Sequence, residues 1–285
     1  MRLLIYNIRY GAGVGKRFHL PIPYIGYLKF TNGHFAKIVD FIKSVNPDLV
    51  GLTEVDIGSY RVEKQNQAES IAASIDHRAI YHSKYSAVSM VRRMPLLNKQ
   101  GNAVLTRRKI VATRFHYLRD GVKRLVIELE MQDMVFFLVH LSLKFRHRQY
   151  QLHELHQLVS QCSKPVIVAG DFNALWGDRE LQLFLSACNL TSANTDRVGS
   201  YPSRAPRLQL DYIFHSPEIH SRAFAVPRLL LSDHAPLIWD FELKHPVATQ
   251  DVSHALVDSA GSRTTLFPDT HPAGLGRDGH LQPHT

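Results

Sequence analysis

The run Val166-Ile-Val-Ala-Gly-Asp171-Phe-Asn173-Ala constrains this chain more than any other stretch. Val166 to Ala169 is short and apolar, bounded by Pro165 and Gly170, which predicts a buried strand. Gly170 lets the backbone turn sharply or approach a ligand closely. Asp171 and Asn173 follow at a spacing of two, so their side chains leave the strand end on one side. A carboxylate can hold a hard cation there, and an amide can donate to a phosphoryl oxygen or position water. Taken alone, the motif also fits an Asx-rich turn closing a core strand.

The other elements follow from periodicity. Leu3 to Tyr6 and Leu49 to Leu52 read as further buried strands. Shorter strands are expected over 77–83, 102–106, 110–117, 124–131, 135–141, 210–214, 221–226 and 236–243. Arg119-Asp120-Gly121 is a hairpin turn between two of them. Helices are expected over 35–45, 65–75, 146–162 and 178–188, from apolar residues at helical spacing. Strands alternating with helices predict a layered α/β fold, and the many hairpins make its sheets mixed or mostly antiparallel. The segment 11–33 mixes prolines with large apolar residues and two cations, Lys16 and Arg17. It reads as a core-covering lid, or as a loop that meets a membrane surface or stacks on bases.

The net charge of +9 over 285 residues makes a polyanionic partner plausible without choosing among nucleic acid, anionic lipid and a phosphorylated small molecule. Two cysteines make no disulfide framework. With no leader pattern and no apolar run long enough to span a bilayer, the expectation is a cytoplasmic protein without a transmembrane segment. We divide the chain into a folded domain over 1–244 and a disordered tail over 245–285, which is rich in Pro, Gly, Ser, Thr and His and has no periodicity. The sequence leaves the oligomeric state open.

Polar residues recur at expected strand ends, each after an apolar run: Asn7 after Leu3–Tyr6, Glu54 after Leu49–Leu52, His140 after Val135–Val139, Asp171 with Asn173 after Val166–Ala169, Asp211 after Leu208–Leu210, and Asp233 with His234 after Leu229–Leu231. Strands lying side by side would bring these ends to one pocket. Each alone has a structural explanation as a cap, a turn or a satisfied buried group. Together, in this order, they resemble the endonuclease/exonuclease/phosphatase superfamily. The matching pieces are Tyr6-Asn7-Ile8, Thr53-Glu54-Val55, Val139-His140-Leu141, Gly170-Asp171-Phe172-Asn173, Leu210-Asp211-Tyr212 and Ser232-Asp233-His234-Ala235-Pro236. The resemblance implies a four-layer α/β/β/α sandwich of the deoxyribonuclease I type and metal-dependent hydrolysis of a phosphate ester.

By the same resemblance, Glu54 is the principal Mg²⁺ ligand, with Mn²⁺ as a substitute, and Asn7 and Asp233 help to hold the site. His234 is the general base or an electrostatic partner of the phosphate, and Asp211 orients its ring. Asp171 and Asn173 position water and phosphate, and His140 donates to a phosphoryl oxygen or acts as the acid. Asn102 and Arg61 are second-rank substrate contacts, against the plainer readings of a turn residue and a local salt bridge. Repair nucleases of the exonuclease III type carry an acid where this chain has Arg9 and generally lack His140. The match therefore leans toward the deoxyribonuclease I, sphingomyelinase and phosphoinositide-phosphatase side, with nucleic acid or a phospholipid-type diester as substrate. Basic clusters read first as solvated faces; Arg146-His147-Arg148, which begins a helix soon after His140, is the one expected to rim the pocket. The alternative is a non-catalytic nucleic-acid or membrane-surface binding protein that kept the fold.

Overall fold

The computed structural model describes residues 1–14, 32–85 and 97–243. The tail, and the 11–30 segment beyond residue 14, lie outside the described residues, as do the readings placed on them. Two six-stranded sheets form the centre. The first has the order β11-β12-β1-β2-β4-β3 and the second β5-β6-β7-β8-β10-β9. Their strands are β1 (Arg2–Asn7), β2 (Leu49–Asp56), β3 (Arg78–Ser83), β4 (Gln100–Thr106), β5 (Ile110–Tyr117) and β6 (Leu125–Met131). They continue with β7 (Val135–His140), β8 (Val166–Asp171), β9 (Thr191–Ser192), β10 (Asp211–His215), β11 (Ile219–Ala225) and β12 (Leu237–Leu243). Among the described residues, β1–β2 and β7–β8 pair in parallel and the other pairings are antiparallel.

Alternation along the strands builds the layers, because successive side chains point to opposite faces. Leu3 and Ile5 pack between the sheets with Phe136, Leu138, Ile167 and Ala169. Leu4 and Tyr6 face outward, onto Ile38 and Ile42 of α1 (Asn32–Val45) and Ala68 and Ile71 of α2 (Gln67–Ser74). On the other side, Val166 and Val168 meet Leu152, Leu155 and Val159 of α3 (Phe145–Val159) and Phe184 of α4 (Gln182–Ala187). Three apolar clusters thus fill the three spaces of an α/β/β/α sandwich. The central strands are apolar throughout because both faces are covered.

The expected helix over 178–188 is instead a 3-10 turn, Asp178–Glu180, followed by the short α4. Leu181 ends the turn and begins α4 without a side-chain capping hydrogen bond. The run Leu229–Leu231 is not a strand but part of an irregular segment leading to β12. Arg148 does not rim a pocket. It is wholly buried, paired with Glu180, and donates to the carbonyls of Ser142 and Leu143.

Cys162 and Cys188 are unbridged, and burial pushes both thiols up to about 11. The neutral form is favoured, so thiolate at pH 8 falls about a hundredfold below that of an open cysteine. Alkylation of the folded protein by iodoacetamide is expected to be slower by that factor. Labelling at the free-cysteine rate would contradict the packing at both residues.

Candidate active site

Strand direction explains how distant residues meet. Asn7 ends β1, and Glu54 lies near the end of β2, parallel to it. His140 ends β7, and its parallel neighbour β8 places Asp171 directly beside it. Asp211 does not end a strand, contrary to expectation: it begins β10. Because β10 runs antiparallel to β8, its first residue pairs with Asp171, the last of β8. Asp233 and His234 likewise precede a strand, β12, whose Leu237 pairs with Ile5 near the exit of β1. Backbone bonds from Ser203 to Asp233 and from Ala235 to Ser200 fasten this loop to the segment before β10. The oxygen and nitrogen groups therefore gather at one end of the two sheets.

Asp171 is the hub. Its Oδ2 accepts from Asn7 Nδ2 at 3.1 Å and lies 3.2 Å from His140 Nε2 and 4.0 Å from His234 Nε2. Its Oδ1 accepts the backbone N–H of Asn173 at 3.0 Å. Burial alone would raise this carboxyl, but His140 and His234 beside it hold it well below the ordinary carboxylate range. Gly170 makes the approach possible. At φ +137° an added Cβ would sit 2.0 Å from the Val139 carbonyl oxygen.

Glu54 stands on a β-bulge of β2 in the left-handed region, φ +55°. A non-glycine residue there stores strain, and the bulge re-aims the side chain. Its Oε1 lies 3.6 Å from Lys123 Nζ and 3.9 Å from His140 Nε2. Burial pushes Glu54 up, but Lys123, His140 and Lys84 outweigh it and keep the carboxylate ionised. Lys84 is itself buried, donates to Tyr10 Oη at 2.8 Å, and is lowered by burial to about 8.

His234 Nδ1 bonds Asp211 Oδ2 at 2.6 Å, and that oxygen also accepts from Ser200 Oγ at 2.7 Å. Burial opposes charge on the ring, yet Asp211 and Asp171 raise His234 to about 10. Nε2 is the nitrogen left toward Asp171. Asp171, Asp211 and His234 also offer ligand atoms within 4.8 Å of one another, a spacing a metal ion can span. The Nδ1 bond and the raised proton affinity give His234–Asp211 the chemistry of a proton-handling pair, and Glu54 and Asp171 are ionised oxygen donors of the kind a hard cation prefers.

Other expected contacts are turned elsewhere. Asn173, at φ +51°, donates its Nδ2 to the Leu141 carbonyl and clamps the exits of β7 and β8 rather than reaching outward. Asn7 accepts Arg9 N–H on its Oδ1, so its amino group is the part that faces Asp171. Asp233 lies 3.4 Å from Arg9 Nε and accepts from Ser232 Oγ. Arg61 is wholly buried against Asp56 at 2.7 Å, the local salt bridge of the plainer reading. Asn102 is buried on β4, and its Oδ1 has no hydrogen-bond partner among the described residues. Sequence reasoning missed Lys123 and Lys84, whose partners Glu54 and Tyr10 are far away in the chain, and Ser200, which lies near Asp211 in sequence but in no patterned element.

A family model described as the endonuclease/exonuclease/phosphatase family matches residues 4–234. The chain belongs to that family. Its members are phosphoesterases and nucleases, which supports a hydrolase acting on phosphate esters. No curated protein matches the sequence. Among solved structures, the family fold is shared with the human Nocturnin catalytic domain with bound sulfate, at TM-score 0.62 and 22% identity, covering 85% of this chain and 94% of that one. A Bacteroides thetaiotaomicron mannosyl-6-phosphatase matches at TM-score 0.62 and 16% identity, over 85% of this chain and all of its own. ANGEL2, a 2′,3′-cyclic phosphatase in complex with adenosine-2′,3′-vanadate, matches at TM-score 0.59 and 16% identity, over 86% of this chain and 96% of its own. At these identities the likeness establishes the fold alone.

Proposed function

We propose that this chain hydrolyses a phosphate ester, with a diester as the first reading, by attack of water assisted by Mg²⁺ or Mn²⁺. The observation that carries the reading is the convergence of Asp171 with Asn7, His140 and His234, beside an ionised Glu54. Glu54 and Asp171 would hold the cation; both are carboxylates kept charged inside the protein, the donor type that Mg²⁺ favours. When bound, the cation would neutralise the phosphoryl oxygens and ease departure of the leaving oxygen.

The protein's own groups supply the rest. Asp211 holds the His234 ring with Nδ1 bound, so Nε2 faces the pocket. In the metal-free protein the raised proton affinity keeps both ring protons at neutral pH, and His234 serves as an electrostatic partner of the phosphate. In its neutral form the ring would take a proton from the attacking water on Nε2, the nitrogen that Asp211 does not hold, and Asp211 would stabilise the charge that forms. His140, lowered by burial and by Lys123 against the opposing pull of Asp171 and Glu54, stands beside Asp171. Lys123 is placed to meet a phosphoryl oxygen. Lys123→Met is expected to raise KM about tenfold to a hundredfold with a smaller change in kcat, as loss of one charge-assisted contact should. An unchanged KM would remove Lys123 from substrate binding.

The substrate is tested on a panel of single- and double-stranded DNA, RNA, phospholipid vesicles and sugar phosphates. Each is assayed with Mg²⁺ and with EDTA. Hydrolysis of at least one, lost in EDTA, is expected. Inertness toward all would favour a binding protein that kept the fold.

A further inference from the structure

Two wholly buried polar residues one turn apart on α3 tie three loops together at the pocket end. Gln151 donates from Nε2 to the carbonyls of Asp120 and Lys123, each at 2.7 Å, and accepts the Ser142 N–H on Oε1 at 2.8 Å. Arg148 bonds the carbonyls of Ser142 and Leu143 and pairs with Glu180. Glu180 in turn accepts the Trp176 N–H at 2.7 Å. The hairpin after β5, the loop after β7 and the loop after β8 are thus fixed side by side.

Their tips are apolar and open. Trp176 is 76% exposed, Val122, Leu143 and Phe145 are each more than half exposed, and Leu175 is nearly so. Holding such side chains in water on braced loops is unfavourable, and clustered exposed apolar groups mark a contact surface. The charges among them are mostly cationic: Arg119, Lys144, Arg146 and Arg179 are exposed. The acids there are Asp120, Asp178, which pairs with Arg197, and Glu154, which accepts the Arg119 N–H. The rim borders the site directly: Lys123 of the same hairpin reaches Glu54, and the other two loops leave from His140 and Asn173.

We infer that this rim docks the protein on an anionic bilayer, with the apolar tips in the interfacial region and the cations among lipid phosphates. Leucine and valine tips with a tryptophan, interleaved with Lys and Arg, match the chemistry of a bilayer interface. Bases would call for aromatic faces throughout, and three of the five tips are aliphatic. Docking is independent of hydrolysis, so it stands or falls apart from the proposed reaction.

The chain has two tryptophans, and Trp239 is wholly buried, so emission changes report on Trp176. The full chain in EDTA would be titrated with vesicles of phosphatidylglycerol and phosphatidylcholine, with pure phosphatidylcholine vesicles, and with a single-stranded oligonucleotide. A blue shift with the anionic vesicles, quenched by brominated acyl chains, is expected. Leu143→Glu with Phe145→Glu is expected to weaken co-sedimentation about tenfold or more while hydrolysis of a small soluble phosphate ester is unchanged. No spectral response to anionic vesicles would overturn the inference. So would equal binding by the double variant, or a response to the oligonucleotide alone.

Discussion

His234→Ala is expected to lower phosphate-ester hydrolysis by about three orders of magnitude, the scale of a lost acid–base group. The His234 ring turns Nε2 toward Asp171 while its other nitrogen is fixed by the Asp211 carboxylate. The substitution also leaves Asp211 buried with Ser200 as its remaining side-chain donor, so some stability will go and rates should be read well below the melting midpoint. Asp211→Asn is expected to cost a similar factor, because an amide no longer favours the charged ring. The double variant should then lose little more than His234→Ala, since the two act as one unit. Multiplicative losses would show that Asp211 works separately, and near-normal turnover of His234→Ala would place the chemistry elsewhere.

Gly170→Ala carries the largest expected effect on the fold. The added methyl would meet the Val139 carbonyl, a backbone atom in the next strand that cannot step aside without breaking the β7–β8 pairing. The backbone angle also lies where a side chain is strained. A loss of about 3–5 kcal/mol is expected, at the severe end for a single methyl. Because that pairing sets His140 against Asp171, any folded remainder should lose activity too. Urea denaturation of the two proteins measures this; a midpoint close to wild type would mean that the β7–β8 spacing is looser than described.

The sequence showed the parts of the fold that burial dictates. β1, β2, β7 and β8 are covered on both faces, so their apolar runs stood out, and the motifs at their exits were visible. The sandwich followed from the family resemblance and from strands mixed with helices. The geometry of the site was less legible, because it depends on pairing direction. Asp211 begins, and His234 precedes, a strand that runs antiparallel to its neighbour, so a picture of strand ends alone misplaced both along their elements. Glu54 depends on a bulge, which no local pattern marked. Asn173 looked outward by its spacing, but the left-handed turn swings its amide back onto Leu141. Arg148 and Gln151 lie in a helix whose basic and polar residues read as an exposed face. Only their partners, Glu180 and the 120–123 hairpin, show that the pair is structural. Lys123 sits 69 positions from Glu54 and was legible only once the two sheets were packed.

The central claim is that an ionised Glu54 beside Asp171 makes this strand-end cluster a cation-dependent phosphoesterase. The most direct test is initial rate against added Mg²⁺ after EDTA treatment, for the wild-type chain and Glu54→Gln, on a substrate that the panel shows to be cleaved. We expect no turnover without the cation, saturable recovery in the wild type, and little or no recovery in Glu54→Gln, with calorimetry showing weaker Mg²⁺ binding by the variant. Equal rates in EDTA and in Mg²⁺, or a Glu54→Gln protein that binds Mg²⁺ and turns over like wild type, would contradict it.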